Sequence, residues 1–165
     1  MLWTAHQGAT TGVDIHPDGS LLASAGGDAL LKLWDLTSFE LLATLKGHNK
    51  SLTRVCFSPD GASLLTASSD QTLRYWDLAQ RECVREIKNL GAVLIDCAFT
   101  LNPNLVLALT GNRQLKAVEL AGGRPFMSLE THSDWAKTLV CDTRCSLVAV
   151  GGQDASGDLG VWDFS

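Results

Sequence analysis

A motif that returns at one fixed interval constrains this chain more than any other feature of it. Ala5–Leu36 aligns without a gap on Gly47–Leu78. The same step separates His6 from His48, Asp28 from Asp70 and Trp34 from Trp76, and His132 lies twice that step beyond His48. One further step from Asp77 reaches Glu119, and the pattern returns at Trp162-Asp163. Self-similarity at such a period marks small units that cannot bury their apolar surface alone and must stack on their neighbours. The units are residues 5–46, 47–88, 89–130 and 131–165.

Within each unit, short alternating or apolar runs are separated by turn signals, as strands require. In the second unit the runs are Thr53–Ser58, Ser63–Ser68, Thr72–Asp77 and Glu82–Ile87. Pro59-Asp60-Gly61, like Pro17-Asp18-Gly19 in the first unit, makes a turn because Pro presets φ and Gly tolerates a positive one. No segment carries a capped helical period. The expectation is an all-β chain of four four-stranded antiparallel blades, the last incomplete, forming a partial or open β-propeller.

Gly47-His48, the Ser58-Pro59-Asp60-Gly61 turn, Ser68-Ser69-Asp70 and Tyr75-Trp76-Asp77 together resemble a WD40 repeat. The likeness is strong in units one and two, weaker in four and weakest in three. It implies a His–Ser/Thr–Asp–Trp tetrad tying the strands of a blade. The sets are His6, Ser24, Asp28, Trp34 and His48, Thr66, Asp70, Trp76. Indole donates, hydroxyl donates and accepts, imidazole relays and carboxylate accepts, so such a chain satisfies groups that are costly to bury unpaired. Unit three has Leu90, Asn112 and Val118 at the His, Asp and Trp positions and should lack a tetrad. Unit four keeps His132 and Trp162 but has a longer turn, with Asp154 or Asp158 as its carboxylate.

Other chemistry is argued against. Ser, His and Asp suggest a hydrolase, but the trio recurs in register beside a Trp and no Gly-x-Ser-x-Gly elbow is present, so no enzyme and no cofactor are expected. Cys141-x-x-x-Cys145 lacks a second ligand pair for zinc. Five cysteines without a secretory signal fit reduced thiols and a cytoplasmic or nuclear location. A net charge of −5 with scattered cations gives no footprint for direct contact with nucleic acid, and no apolar run is long enough to insert in a membrane as a helix.

The expected function is a protein–protein interaction scaffold, with RNA-processing or ubiquitin-ligase adaptors as alternatives. Arg is absent two residues after each Trp-Asp, where Thr37, Ala79 and Ser165 stand, and this argues against the ligase receptor. The second half, from CVREIKNLG to the final GVWDFS, is similar to the C-terminal propellers of the autophagy-related protein sixteen scaffolds, which implies autophagy or membrane trafficking. Partner-binding candidates lie on the rim after each His and before each Asp: Asn49, Lys50, Ser51, Arg54, Ser69, Ser133, Asp134 and Trp135, with Gln7 beside them. Trp135 stands where the other units have Ala9 and Ser51, so the fold does not demand an aromatic there, and it reads either as an interface anchor or as packing over a neighbouring blade. Lys50 and Arg54 are read otherwise as solvated charges. Four units are read first as part of a longer propeller, next as an open arc that self-associates to complete one, and last as a small closed propeller.

Overall fold

The computed structural model describes residues 4–131, 136–142, 147–152 and 159–163. Those residues contain strands and turns and no helix. The first blade is β1 (Thr10–Ile15), β2 (Leu21–Gly26), β3 (Leu30–Asp35) and β4 (Leu41–Lys46). The second is β5 (Leu52–Phe57), β6 (Ser63–Ser68), β7 (Leu73–Asp77) and β8 (Glu82–Ile87). The third is β9 (Leu94–Phe99), β10 (Leu105–Thr110), β11 (Gln114–Glu119) and β12 (Arg124–Glu130). The fourth contributes β13 (Ala136–Cys141), β14 (Leu147–Gly152) and β15 (Leu159–Asp163). Each sheet is an antiparallel meander in chain order, with four strands in the first three blades and three described in the last. The four sheets are arranged as blades of a β-propeller, which is the architecture read from the spacing.

The repeat extends to details of the backbone. The pairing of each first strand with its second skips one residue, at Thr11, Thr53, Ile95 and Lys137, the same place in every unit. The pairing of third and fourth strands skips Leu42, Val84 and Phe126. Such bulges bend and twist a strand, so the blades curve at matching places.

Blades stack through their faces. The first strands β1, β5, β9 and β13 run side by side in that order and form the inner side of the arc. Ala23, Ala25, Leu31 and Leu33 of blade one meet Leu52, Val55, Phe57 and Trp76 of blade two in one buried cluster. A second cluster joins Leu65, Leu73 and Ile87 to Leu94, Cys97 and Val118 across blades two and three, and a third joins Leu107, Leu109 and Leu115 to Leu139 and Val148 across three and four. At about 25 cal/mol per Å² of apolar area removed from water, these faces dominate the stability of the arc.

The Pro-Asp-Gly turns work as read. Gly19 N donates to His16 O at 2.8 Å and Gly61 N to Ser58 O at 2.9 Å, and both glycines have positive φ, +79° and +74°. Their surroundings differ. A Cβ at Gly19 meets open space, whereas one at Gly61 would collide with the His16 ring. His16 bonds Gly61 O through Nε2 at 3.1 Å and sits edge-on to Phe57, so this second turn also locks blade one to blade two. Gly19→Ala should therefore cost about 1 kcal/mol, the backbone penalty alone. Gly61→Ala should cost clearly more, because His16 must also leave its place; urea denaturation of the two variants checks the order.

Candidate functional site

The two predicted tetrads are each built from neighbouring strands and the loops that join them. In blade two, Trp76 on β7 points its indole N–H at Thr66 Oγ1 on β6, 2.9 Å away. The Thr66 hydroxyl lies 2.8 Å from His48 Nε2, and His48 Nδ1 lies 2.8 Å from Asp70 Oδ2. Blade one repeats this: Trp34 Nε1 to Ser24 Oγ at 2.9 Å, Ser24 Oγ to His6 Nε2 at 2.8 Å, and His6 Nδ1 to Asp28 Oδ1 at 2.9 Å. Donor logic assigns the tautomer. Indole can only donate, so the hydroxyl accepts from it and passes its own proton to Nε2; Nδ1–H then donates to the carboxylate.

The carboxylate does a second job. Asp28 Oδ2 accepts from Gln7 N and Asp70 Oδ2 from Asn49 N, each at 3.0 Å, so the loop after each His is pinned to the turn holding the Asp. In blade two that turn is tied further: Thr72 Oγ1 donates to Asp70 Oδ1 at 2.7 Å, Ser69 N to Ser51 O at 2.9 Å, and Ser68 Oγ to Ser51 O at 2.9 Å. Burial pushes the Asp70 carboxyl up, but the bonds from Thr72, Asn49 and His48 outweigh it and hold the group far below the usual range. Asp28 is lowered in the same way, burial again being opposed by Gln7, His6 and Leu30. Burial lowers His48, against the raising effect of Asp70. An ionised Asp with a neutral His is the charge state the hydrogen-bond chain needs.

Blade three solves the same position without polar groups. Leu90, Ala108 and Val118 occupy the His, Ser/Thr and Trp places and are all fully buried in the cluster with blade two. Replacing every partner together leaves nothing unpaired, which is why the loss is tolerated. Asn112, at the Asp position, accepts instead from Thr110 Oγ1 at 2.6 Å.

Asn49, Lys50, Ser51 and Ser69 lie together on the rim these bonds hold. The side chains of Asn49 and Lys50 are exposed; Ser51 and Ser69 are half-buried. Arg54 does not belong with them. It sits on inner strand β5 with its side chain 41% exposed, and its Nε lies 3.3 Å from Asp96 Oδ1 of the next blade, so this solvent-facing charge also has an ion-pair partner across the junction. The expectations for Ser133, Asp134, Trp135, His132 and the turn at 153–158, and the second cysteine of the Cys141–Cys145 pair, lie outside the described residues.

Inner-strand carboxylates that bridge blades are not singled out by the repeat. Gly12, Arg54, Asp96 and Thr138 occupy one position in the four blades, each a full repeat beyond the last. Asp96 Oδ2 accepts from Thr138 Oγ1 at 3.0 Å and from Leu139 N at 2.9 Å, while its other oxygen faces Arg54. Asp14 Oδ2 accepts from Phe57 N at 2.7 Å. The only sequence signal was opposite charge at Arg54 and Asp96, one repeat apart. Among the described residues, no group of three or more His, Cys, Asp or Glu is placed to hold a metal ion.

Comparison with known proteins agrees with this geometry. The family described as "WD domain, G-beta repeat" matches residues 1–35 and 39–77. These two segments, somewhat under half of the chain, match WD repeats, and they supply strands β1 to β7 of the propeller. Over 41 residues the chain is 44% identical to Protein HIRA of Dictyostelium discoideum, covering 24% of this chain and 4% of that protein. Over 49 residues it is 41% identical to Nuclear distribution protein PAC1 of Tuber melanosporum, covering 30% of this chain and 11% of that protein. Over 39 residues it is 49% identical to Eukaryotic translation initiation factor 3 subunit I of Phaeosphaeria nodorum, covering 24% of this chain and 12% of that protein. Each match spans well under two thirds of the relative's own length.

Thr66→Val removes the hydroxyl that serves both Trp76 and His48, at about 1–3 kcal/mol for each buried group left unpaired; a fall in the urea midpoint measures it. Acid should also weaken the fold. With His48 lowered, the unfolded chain takes a proton below about pH 6.5 that the folded one resists. With Asp70 lowered, a second loss sets in below about pH 4. Urea midpoints measured from pH 7 to pH 3 should fall in both windows, and Asp70→Asn should flatten the lower one.

Proposed function

We propose that this chain is a non-catalytic protein–protein interaction scaffold whose contact edge is the rim carrying Asn49, Lys50, Ser51 and Ser69. The observation that carries this is the pinning of that rim. The loop backbone is fixed at Asn49 N and Ser51 O while the Asn49 and Lys50 side chains face solvent. A partner meeting these side chains therefore loses little to loop ordering, which is the usual entropic cost of binding on loops. A catalytic use of the Ser–His–Asp trio is disfavoured by burial. Ser24 is 1% exposed and its oxygen accepts from Trp34, so no substrate carbonyl reaches it. The pathway reading, autophagy or membrane trafficking, rests on the likeness of the second half, namely Arg85-Glu86 before Leu90-Gly91, the Trp-less Leu115-Lys116-Ala117-Val118 run and Ser133-Asp134-Trp135.

The test is affinity capture followed by mass spectrometry, with wild type beside Asn49→Ala/Lys50→Glu. Both side chains are exposed, so the variant should keep its stability within about 0.5 kcal/mol and lose a defined set of protein partners. An identical partner set for variant and wild type would rule this rim out as the contact edge.

A further inference from the structure

The turn that follows each first strand lies at the far end of the blade from the rim. At the first junction between blades, this end is sealed by a side chain of the protein itself. His16 is 15% exposed at its side chain, and its ring stands edge-on to Phe57 at 5.1 Å. Its Nδ1 lies 2.6 Å from Asp18 Oδ1, and its Nε2 donates to Gly61 O at 3.1 Å. One repeat later the same setting recurs without the imidazole. Ser58 stands at the place of His16, Asp60 at that of Asp18, Phe99 at that of Phe57 and Tyr75 at that of Leu33. These four, with Pro59 and Pro103, line a pocket of about 170 Å³ between blades two and three. Its walls are fixed. Ser63 Oγ donates to the Tyr75 hydroxyl at 2.6 Å, and the Tyr75 and Phe99 rings meet edge to face at 6.1 Å. Ser58 Oγ donates to Asp60 Oδ1 at 2.6 Å, and Ala62 N donates to the same oxygen at 3.0 Å. The Ser58 hydroxyl, then Ala62 N, hold the Asp60 carboxyl below its ordinary range. Among the described residues, nothing bonds its Oδ2.

We propose that this pocket is a binding site for the imidazole of a histidine supplied by a partner protein, seated against Phe99 and Tyr75 with one N–H on Asp60. The chain itself shows the fit, because it holds an imidazole at the equivalent place one repeat earlier, against Phe57 and Asp18. Size agrees. Pockets for drug-sized ligands run to about 300–1,000 Å³, so this smaller one takes a single side chain. Charge agrees as well. A wholly apolar occupant would strip water from the Asp60 carboxylate and offer it no donor, whereas imidazole pairs a flat ring with an N–H. Blades two and three, which form the walls, each have all four strands. That the imidazole comes from a protein rests on the scaffold function proposed for the chain; that the pocket takes an imidazole does not.

NMR titration of the 165-residue chain tests it. 4-Methylimidazole, the histidine side chain alone, probes the pocket, and the peptide Gly-Gly-His-Gly-Gly probes the source. Both should shift the Phe99 and Tyr75 ring resonances and saturate. Toluene, similar in shape but without nitrogen, should bind at least ~5-fold more weakly, and Asp60→Asn should weaken 4-methylimidazole by a similar factor. Ser58→His should fill the pocket with the protein's own ring, as His16 does at the first junction, and abolish binding. His16→Ser should open a second site, on Phe57 and Asp18, and it serves in place of Ser58→His if that variant fails to fold by tryptophan fluorescence. Phe99 and Tyr75 resonances that 4-methylimidazole leaves unmoved overturn the proposal. So does toluene binding as tightly as 4-methylimidazole, or a folded Asp60→Asn that binds like wild type. Binding of the free heterocycle without the peptide overturns a protein as its source.

Discussion

Everything in this structure depends on one sheet packing face to face on the next. A short four-stranded antiparallel sheet has two faces, and here both are apolar: Ala23, Leu31 and Leu33 of one blade meet Val55, Leu64 and Trp76 of the next, whose other face buries Leu65 and Leu73 in turn. No single blade can bury both. The chain resolves this by repetition, so each internal blade covers its predecessor and is covered by its successor. The periodic bulges serve the same end, bending each sheet so that successive faces fit as the arc advances.

The hydrogen-bonded tetrads are a local refinement of that packing. Blade three shows this, since Leu90, Ala108 and Val118 fill the same space without polar groups and the blade remains. What the tetrad adds is placement of the rim. Its carboxylate holds the loop after the His by a backbone N–H, at Gln7 in one blade and Asn49 in the next. In blade three Asn112 turns to Thr110 instead. Blades one to three share the bond from that turn back to the loop, at Gly27 N, Ser69 N and Gly111 N, while the carboxylate contact is confined to blades one and two among the described residues.

Much of this was legible in the residues because its physics is local to a repeat. Strand content and the Pro-Asp-Gly turns follow from spacing, since each period returns the chain to an equivalent place, and the tetrad partners follow from the likeness to a WD40 repeat. In the second blade the strands lie within one residue of their expected bounds: Leu52–Phe57 against Thr53–Ser58, and Leu73–Asp77 against Thr72–Asp77. The contacts that were not legible cross from one blade to another. Arg54 read as a surface charge because its partner, Asp96, is supplied by a different sheet. Asp14 and Asp96 carried no motif, yet each bonds the backbone of the next inner strand. The role of Gly61 in seating His16 was likewise hidden, because the turn alone already explained a glycine there.

The sequence by itself determined the unit: its length, its four strands, its turns and which side chains form a hydrogen-bonded chain. Strands and turns follow from alternation and turn chemistry inside a single repeat, and the hydrogen-bonded chain follows from the likeness to a WD40 repeat. Only the tertiary structure decided which faces are covered. Val13 and Val55 occupy the same place in their units and are both valine, yet one faces solvent and the other is fully buried. Burial is a property of what stands opposite, and a repeat carries no record of that.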